Sequence, residues 1–323
     1  MSGSLNNLFI PYKIGDNGTR PLPAGADFWT SPGVTLDPLH GAVDPSTYTV
    51  GTPCDILVEV QNNSTKVYET ITVDLWVCNP TTVIDPSSAL LPNASTFSNV
   101  LVTGAAPTGT TTTVRFPAAA ATMTTPATGF VPYPALTSLP GGHVCLIANC
   151  VGVTADGQVD GIDMAYATGV DLSHEVQVNA HVAQHNLFAA GTGGHPRRLR
   201  FWFMAATPLQ KGHEEVGLEL RHQTGDAALS DQDLTFLRRG PFKHLPLHRS
   251  TAPVGAFALH DSAGASARSL KLRLDAGKPA TLSAEMEFGA AEKVGGVHAF
   301  DVIQTSTAGH VQGGLRILAV IAA

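Results

Sequence analysis

Hydrophobic and polar residues alternate with a period of two in short segments along most of the chain. In 54–60 (CDILVEV) and 70–78 (TITVDLWVC), every second residue is apolar. This alternation predicts half-buried strands of antiparallel sheets, because successive side chains of a strand point to opposite faces. Between the alternating segments lie stretches rich in Ala, Thr, Pro and Ser, notably 104–140, which we interpret as long loops.

The alternation restarts after a turn-rich break at 189–198 (AAGTGGHPRR). In 269–275 the leucines share one face and the basic residues the other, and in 281–288 apolar residues again alternate with polar ones. We expect the two segments to be adjacent, with their acidic and basic residues paired across strands. The tail predicts a terminal hairpin with its turn near Ala308 and Gly309, and 230–239 (SDQDLTFLRR) predicts a helix.

These elements predict an all-β fold made of two tandem Ig-like antiparallel β-sandwiches with long loops and an N-terminal arm. The predicted boundaries are 1–26 for the arm, 27–189 for the first sandwich and 190–323 for the second. A single large jelly roll is the alternative fold. The break at 189–198 favours two sandwiches, because its composition is typical of a linker.

Four segments carry a resemblance to a known family. They are VGTPCDILVEVQNNST (50–65), ITVDLWVCNPTT (71–82), GGHVCLIANCVG (141–152) and NAHVAQHNLFA (179–189). Together they resemble bacterial immunoglobulin-like domains of the cell-adhesion-related (CARDB-like) type over about 27–189. The second half is similar to a C-terminal module that accompanies such domains. The resemblance implies a β-sandwich architecture used for adhesion, spacing or scaffolding, without shared catalytic residues.

Charge and hydropathy restrict the classes of partner. The formal net charge is −7 and the chain has no block of Lys and Arg, so we expect no nucleic-acid partner. We find no run of about 18 apolar residues and expect no membrane span. The N-terminus does not match a cleaved signal peptide, so we expect cytoplasmic synthesis followed by assembly or non-classical release.

The chain has four cysteines: Cys54, Cys78, Cys145 and Cys150. The odd spacing of Cys145 and Cys150 places them on opposite faces of a regular strand, which favours buried packing residues over a shared metal. A disulfide between Cys54 and Cys145 across the sandwich is the alternative, and the sequence does not choose among the pairings. Without an export signal, we expect reduced thiols.

Histidines do not form a metal-binding pattern. His181 and His185 lie in a predicted strand, where a spacing of four residues separates them by about 13 Å. One ion cannot bridge that distance. His244 and His248 flank a proline in an extended segment and are equally unsuited.

An acidic stretch contains Asp156, Asp160 and Asp163 among glycines. Its order differs from the calcium-binding loop, so we expect a solvated loop, with calcium binding as the alternative. The chain also lacks a nucleophile elbow and a phosphate-binding loop. We therefore predict no catalytic residue, no metal and no cofactor, and hence a protein that is not an enzyme.

The leading hypothesis is a non-catalytic structural or interaction subunit that self-assembles into a particle, phage-like device or extracellular filament. Its expected partner is itself, with other particle or surface proteins as further partners. The arm is expected to pair along a sheet edge, of its own chain or of a neighbour, through five apolar residues: Leu8, Phe9, Ile10, Tyr12 and Ile14.

Two alternatives stay open. The first is a carbohydrate- or surface-binding adhesin module, in which exposed Trp29, Trp76 and Trp202 would form the contact platform. The second is an accessory domain pair of a separate enzyme. Multimers are required by the self-assembly hypothesis alone, so the oligomeric state separates it from both alternatives.

Overall fold

The structure of the protein is a computed structural model, and the statements below concern the residues that it describes. These are 8–37, 55–78, 81–83, 97–106, 109–116, 145–162, 172–192, 197–209, 211–225, 229, 233–234, 237–238, 242 and 244–322.

Strands make up nearly all of the regular structure in both halves of the chain. The elements of the N-terminal half are β1 (Leu8–Phe9), β2 (Val34–Asp37), β3 (Asp55–Asn62), β4 (Tyr68–Cys78), β5 (Phe97–Ala106), β6 (Thr111–Phe116), β7 (Cys145–Thr154), β8 (Val159–Asp160), α1 (Leu172–Val178) and β9 (Val182–His185). Those of the C-terminal half are β10 (Leu187–Thr192), β11 (Arg197–Ala205), β12 (His213–Gln223), β13 (His248–Arg249), β14 (Val254–His260), β15 (Ser266–Ala267), β16 (Ser269–Asp275), β17 (Ala280–Phe288), β18 (Gly296–Ser306) and β19 (Val311–Ile321).

The N-terminal half forms a sandwich of two antiparallel sheets. In one sheet, β3 pairs with β1, β2 and β6; in the other, the order is β5-β4-β7-β8, and β9 also pairs with β7. Strands β1 and β2 lie against β7 of the opposite sheet. The inward-facing residues are fully buried, among them Leu8, Val34, Val58, Val60, Ile71, Val73, Leu75 and Ala148.

The C-terminal half forms a second sandwich. One sheet has the order β11-β17-β14-β15, and the other has the order β10-β19-β18-β12-β16, with β13 also paired to β18. Alternate residues of both sheets meet in one apolar core, which includes Phe201, Phe203, Leu218, Leu220, Leu274, Leu282, Met286, Phe300, Val302 and Ile317. The predicted fold class, all-β with two sandwiches, is thereby confirmed.

Strands β18 and β19 are buried on both faces. One face belongs to the sandwich core. The other packs against an apolar cluster that includes Leu229, Leu234, Leu237 and Leu247, and residues of the N-terminal half also contact it, as described below. Burial on both faces explains the continuous apolar run LRILAVI at the end of the chain, which lacks the alternation of a half-buried strand.

Several local predictions are confirmed. The terminal hairpin turns between β18 and β19, with Gly309 at a φ of 81°. The four residues of 230–239 that the structure describes, 233–234 and 237–238, are helical. The domain boundaries stay predictions, and the one at 189/190 lies within β10 (Leu187–Thr192).

The expected pairing of 269–275 with 281–288 is wrong. Strand β16 pairs with β12, whereas β17 pairs with β11 and β14 of the opposite sheet. The intervening turn therefore connects the two sheets. Glu287 contacts Arg198 (3.1 Å) in place of the basic residues of β16.

Strand β4 is not half-buried as predicted, because its second face is also covered. Asp74 and Trp76, expected on a polar face, are each 1 % exposed. Trp76 contributes to a cluster with Tyr12, Phe28 and Trp29 that fills the space between the first sandwich and β18–β19.

Candidate functional site

The arm lies along its own chain. Strand β1 pairs antiparallel with β3, with Leu8 opposite Asn62, and the Ile10 amide donates to the Ala180 carbonyl (3.0 Å). Four of the five predicted arm residues are buried: Leu8, Phe9, Ile10 and Tyr12. Ile14 is 68 % exposed and does not take part. The assembly role of these residues remains a prediction.

Asp160 fastens the arm to the first sandwich. Its carboxylate accepts hydrogen bonds from the Tyr68 hydroxyl (2.6 Å) and the Leu8 amide (3.1 Å), and it contacts His181 Nε2 (3.0 Å). Burial raises the pKa of Asp160, but the hydrogen bonds and the His181 charge outweigh it and leave the pKa below its usual value. Burial and the bond to Asp160 raise the pKa of Tyr68.

Beyond β1, the arm leads into aromatic residues that lie between the two sandwiches. Phe28 and Trp29 pack edge to face with ring centroids 5.2 Å apart. Trp29 also lies against β19, because a Cβ atom added to Gly314 would be 2.8–2.9 Å from three of its ring atoms. Only glycine leaves room for the indole here. Residues from the start and the end of the chain thus meet in one buried contact.

The buried region between the two sandwiches, with Phe28, Trp29 and Trp76, forms a junction. Arg316 is the charged centre of this junction. It points from β19 to Asp301 on β18, with Nε–Oδ1 2.8 Å and Nη2–Oδ2 2.9 Å, and Nη2 also donates to Asp27. Burial alone lowers the pKa of Arg316, but the two carboxylates outweigh it and raise it. Burial raises the pKa of Asp27, against the opposing charge of Arg316. This buried ion group joins the segment before β2 to the second sandwich.

Amide side chains complete the junction. Asn186 Nδ2 donates to the carbonyls of Thr81 (2.9 Å) and Gly314 (2.8 Å). Thr82 donates to Gln304 Oε1 (2.5 Å), whose Nε2 donates to the Ala206 carbonyl (2.8 Å). Buried polar groups that satisfy one another fix the relative position of the parts they connect.

The junction residues have only weak signals in the sequence. Arg316 is the single charge in the apolar run LRILAVI, and such a charge is buried only when it is paired. Its partner Asp27 is distant in the sequence, and its partner Asp301 lies in the preceding strand. Neither partner could be assigned from the sequence. Asn186 carried no signal, because nothing in the local pattern shows that its amide binds the Thr81 and Gly314 carbonyls.

Cys145 and Cys150 are buried thiols on opposite faces of β7, and Cys145 Sγ donates to Asn186 Oδ1 (2.7 Å). Their burial raises the pKa of both thiols, which makes them poor nucleophiles and metal ligands. The reduced state of the thiols, and its alternative of a disulfide between Cys54 and Cys145, stay predictions. Cys54 and the side chain of Cys78 lie outside the described part of the chain.

Among the described residues, no group of three or more His, Cys, Asp or Glu side chains could hold a metal ion. His181 Nε2 contacts Asp160 Oδ1 (3.0 Å), and His185 Nδ1 contacts the Ser31 carbonyl (2.8 Å). Each histidine therefore has a separate structural role. His244 and His248 are exposed. Two aspartates of the candidate calcium loop lie in different surroundings, since Asp156 is exposed while Asp160 faces the arm. Asp163 lies outside the described residues.

The tryptophan platform is wrong for two of its three members. Trp29 and Trp76 are only 2 % and 1 % exposed, because the junction encloses them. Trp202 on β11 is partly exposed, and the Arg200 guanidinium stacks 4.5 Å from its ring centroid. Arg200 Nε also donates to Ser283 Oγ (3.2 Å) on β17. Trp202 is therefore the one tryptophan that a ligand can reach.

No described helix is long and apolar enough to cross a membrane. No protein-family model matches the chain, and no curated protein matches it. The family type expected from the sequence therefore stays a prediction.

Three solved structures give distant similarities. Collagen adhesin from S. aureus shows 8 % identity and a TM-score of 0.22, covering 92 % of this chain and 96 % of that one. The sialic acid binding region of a Streptococcus sanguinis adhesin shows 14 % identity and 0.21, covering 92 % and 78 %. The partial N-terminal region of enterococcal surface protein shows 8 % and 0.23, covering 94 % and 98 %. These TM-scores are below 0.5, so the function is argued from this chain's own geometry.

Proposed function

We propose that the protein is a non-catalytic binding module of the adhesin kind, in which two β-sandwiches are held as one rigid body and the second sandwich contacts a surface ligand. The junction around Arg316 and Trp29 carries this proposal. Domains of one chain normally move relative to each other unless their interface is large and apolar. Here a buried ion group, two aromatic rings and paired amides oppose such movement.

The proposed absence of catalysis is supported by what the buried ionisable groups do. Asp160 holds the arm, and Asp27, Asp301 and Arg316 hold the junction. A cavity of about 180 Å³ lies at the junction, lined by residues such as Leu22, Phe28, Gln177 and Val311. His310 is the one titratable side chain among the described residues of this lining, which hold no carboxylate, hydroxyl or thiol to act with it in hydrolytic chemistry.

We place the ligand contact on the outer face of the β11 sheet. Trp202 offers an aromatic ring next to the Arg200 guanidinium, and Glu285 lies opposite Arg200 on β17. Ser283, opposite Trp202, is buried and positions Arg200. A flat apolar ring bordered by hydrogen-bonding groups suits a saccharide, whose apolar faces stack on aromatics while its hydroxyls bind polar side chains. The proposed ligand class is therefore carbohydrate at a surface.

A glycan array tests this function. The fluorescently labelled full chain is applied beside Trp202→Ala and a matched control, Arg268→Ala, which removes another exposed arginine-on-aromatic contact, the one over Phe257 (4.2 Å). We expect a defined set of glycans to be bound, with at least a tenfold loss for Trp202→Ala and no loss for Arg268→Ala. Equal binding by wild type and Trp202→Ala, or no binding at all, contradicts the proposal.

Self-assembly is the second candidate, and the arm bears on it. Because Leu8, Phe9 and Ile10 are covered by their own chain, an arm-mediated contact between subunits would first have to break the β1–β3 pairing. Size-exclusion chromatography with light scattering decides between the two: a monomer at micromolar concentration supports the binding module, and a stable multimer supports assembly. The same monomer would leave an accessory role beside an enzyme as the remaining alternative.

A further inference from the structure

Two histidines and a buried glutamate form a hydrogen-bonded chain in the second sandwich, away from the junction. His222 lies near the end of β12, His298 lies near the start of β18, and Glu292 lies in the turn before β18. His298 Nε2 is 2.7 Å from Glu292 Oε1, and His298 Nδ1 is 3.3 Å from His222 Nε2. Ser250 donates to the same carboxylate at 2.9–3.0 Å. The side chains of His298 and Glu292 are 1 % and 2 % exposed.

The hydrogen bond between the imidazoles of His222 and His298 can hold only one proton. Because the Glu292 carboxylate only accepts, His298 Nε2 must carry a proton, and Nδ1 is the ring nitrogen left to face His222. With one shared proton, either ring can donate to the other. When both rings are doubly protonated, two N–H groups point at each other and the hydrogen bond is lost.

The surroundings disfavour that second positive charge. Phe288, Phe300 and Phe257 pack around the imidazoles, with Phe300 4.8 Å from His222 between centroids. Arg197 donates to the Glu292 backbone carbonyl, and Arg268 covers the ring of Phe257. Within the described part of the chain, Glu292 is thus the one negative charge in direct contact with the pair, and it balances one imidazolium only.

The titration behaviour follows from this arrangement. Burial and the neighbouring His298 lower the pKa of His222 to about 4, against a smaller opposing effect of Glu292. Burial also lowers the pKa of His298, although its bond to Glu292 opposes the shift. Both histidines therefore resist protonation while the cluster is intact.

The cluster holds two backbone segments in place. The Gly295 amide donates to the Ile321 carbonyl (2.7 Å), the His248 amide to the Gly295 carbonyl (2.9 Å) and the Ser250 amide to the Val297 carbonyl (3.1 Å). The segments 248–250 and 289–296 thus close over this part of β18 and β19. Leu247 and Val297 belong to the apolar cluster beneath them.

We propose that His222, His298 and Glu292 form an acid-sensitive clasp, which keeps 248–250 and 289–296 closed at neutral pH and releases them when a second proton enters the histidine pair in mild acid. Since the folded pKa of His222 is below that of an unfolded histidine, about 6.5, the closed state binds fewer protons than the open one. Its stabilisation is complete above about pH 6.5 and is lost as the pH falls towards 4. This inference does not depend on the proposed ligand.

Hydrogen–deuterium exchange of the full chain at pH 7.5 and pH 5.0, corrected for intrinsic rates, tests the clasp. In wild type we expect the opening constant of 289–296 to rise between tenfold and about 25-fold on acidification, the upper value being the linkage limit for a pKa of about 4 against 6.5. His222→Gln keeps a donor but does not titrate, so its opening constant should change less than threefold. His310→Gln, at an exposed site in the β18–β19 turn, should behave like wild type.

A second measurement keeps the test decisive if His222→Gln is itself destabilised. Histidine Hε1 resonances of the wild-type chain, assigned to individual residues and followed by NMR, should show that His222 titrates near pH 4 and that the pKa of His298 is below its usual value. The assignment is needed because burial also lowers the pKa of His185. Normal titration of both His222 and His298 overturns the proposal. So does an equal pH response of 289–296 in wild type and in a folded His222→Gln variant.

Discussion

Trp29 covers Gly314 so closely that a methyl group at position 314 would lie 2.8–2.9 Å from three atoms of the indole. The contact joins the segment preceding β2 to the last strand of the chain. Disrupting this contact should therefore weaken the connection between the two sandwiches.

Replacing Gly314 by valine should open this contact. Because neither the strand nor the indole can move without disturbing the junction, we expect a loss of about 1–3 kcal/mol in the free energy of unfolding, typical of an overpacked site. Urea denaturation measures it. The control is Gly289→Ala, since a Cβ atom there meets nothing within 4 Å. Equal stability of the two variants contradicts the contact.

Removing the charge of Arg316 should be costly. Arg316→Met leaves Asp301, and in part Asp27, buried without their partner, and breaking a buried pair in this way costs about 3–5 kcal/mol. The surface pair Arg198–Glu287 is the reference, because both of its side chains are largely exposed. Arg198→Met should cost less than about 1 kcal/mol. Similar losses in the free energy of unfolding for both variants would show that Arg316 stabilises the fold no more than a surface ion pair does.

The arm contains its own matched pair. Phe9 is completely buried and Ile14 is exposed, although the sequence assigned both to the same segment. Phe9→Ala should cost about 3–5 kcal/mol by leaving a cavity, whereas Ile14→Ala should change stability by less than about 0.5 kcal/mol. Thermal unfolding compares them. A tolerated Phe9→Ala would show that the arm is not part of the fold.

Asp160 should make the first sandwich sensitive to strong acid. Its pKa is lowered in the folded state, so the unfolded chain takes up the proton first as the pH falls. The stabilisation is present above about pH 4 and is lost as the pH falls through the folded pKa. Asp160→Asn should therefore be less stable than wild type at pH 7, with a difference that shrinks towards pH 2. A pH-independent difference contradicts this role.

The period-two alternation predicted many strands and their inward faces correctly, for example at Leu270 and Leu282, which both reach the core. It could not predict which strands pair. Alternation records which face of a strand is buried but not its neighbour, so β16 and β17 looked like a hairpin although they lie in opposite sheets.

The junction was harder to predict for a related reason. Trp76 and Asp74 occupy positions that a half-buried strand exposes, and they are buried only because distant segments cover that face. Asp27 and Arg316 are likewise distant in the sequence, 289 positions apart. Contacts between residues nearly 300 positions apart leave no periodic signal in the sequence, and the polar residues that form them look like surface residues.

Two sandwiches that are held as one rigid body keep a fixed separation, which a distance measurement between them reports. Nitroxide labels at exposed Thr65 in the first sandwich and Lys278 in the second, each replaced by cysteine, report their separation by double electron–electron resonance. Cys54 and Cys78 are replaced by serine in every variant, and the buried thiols of Cys145 and Cys150 should stay unlabelled under native conditions. We predict one narrow distance distribution for the wild-type background, which broadens in Gly314→Val. A broad distribution in the wild-type background, unchanged by Gly314→Val, would show two sandwiches that move independently and would contradict the account.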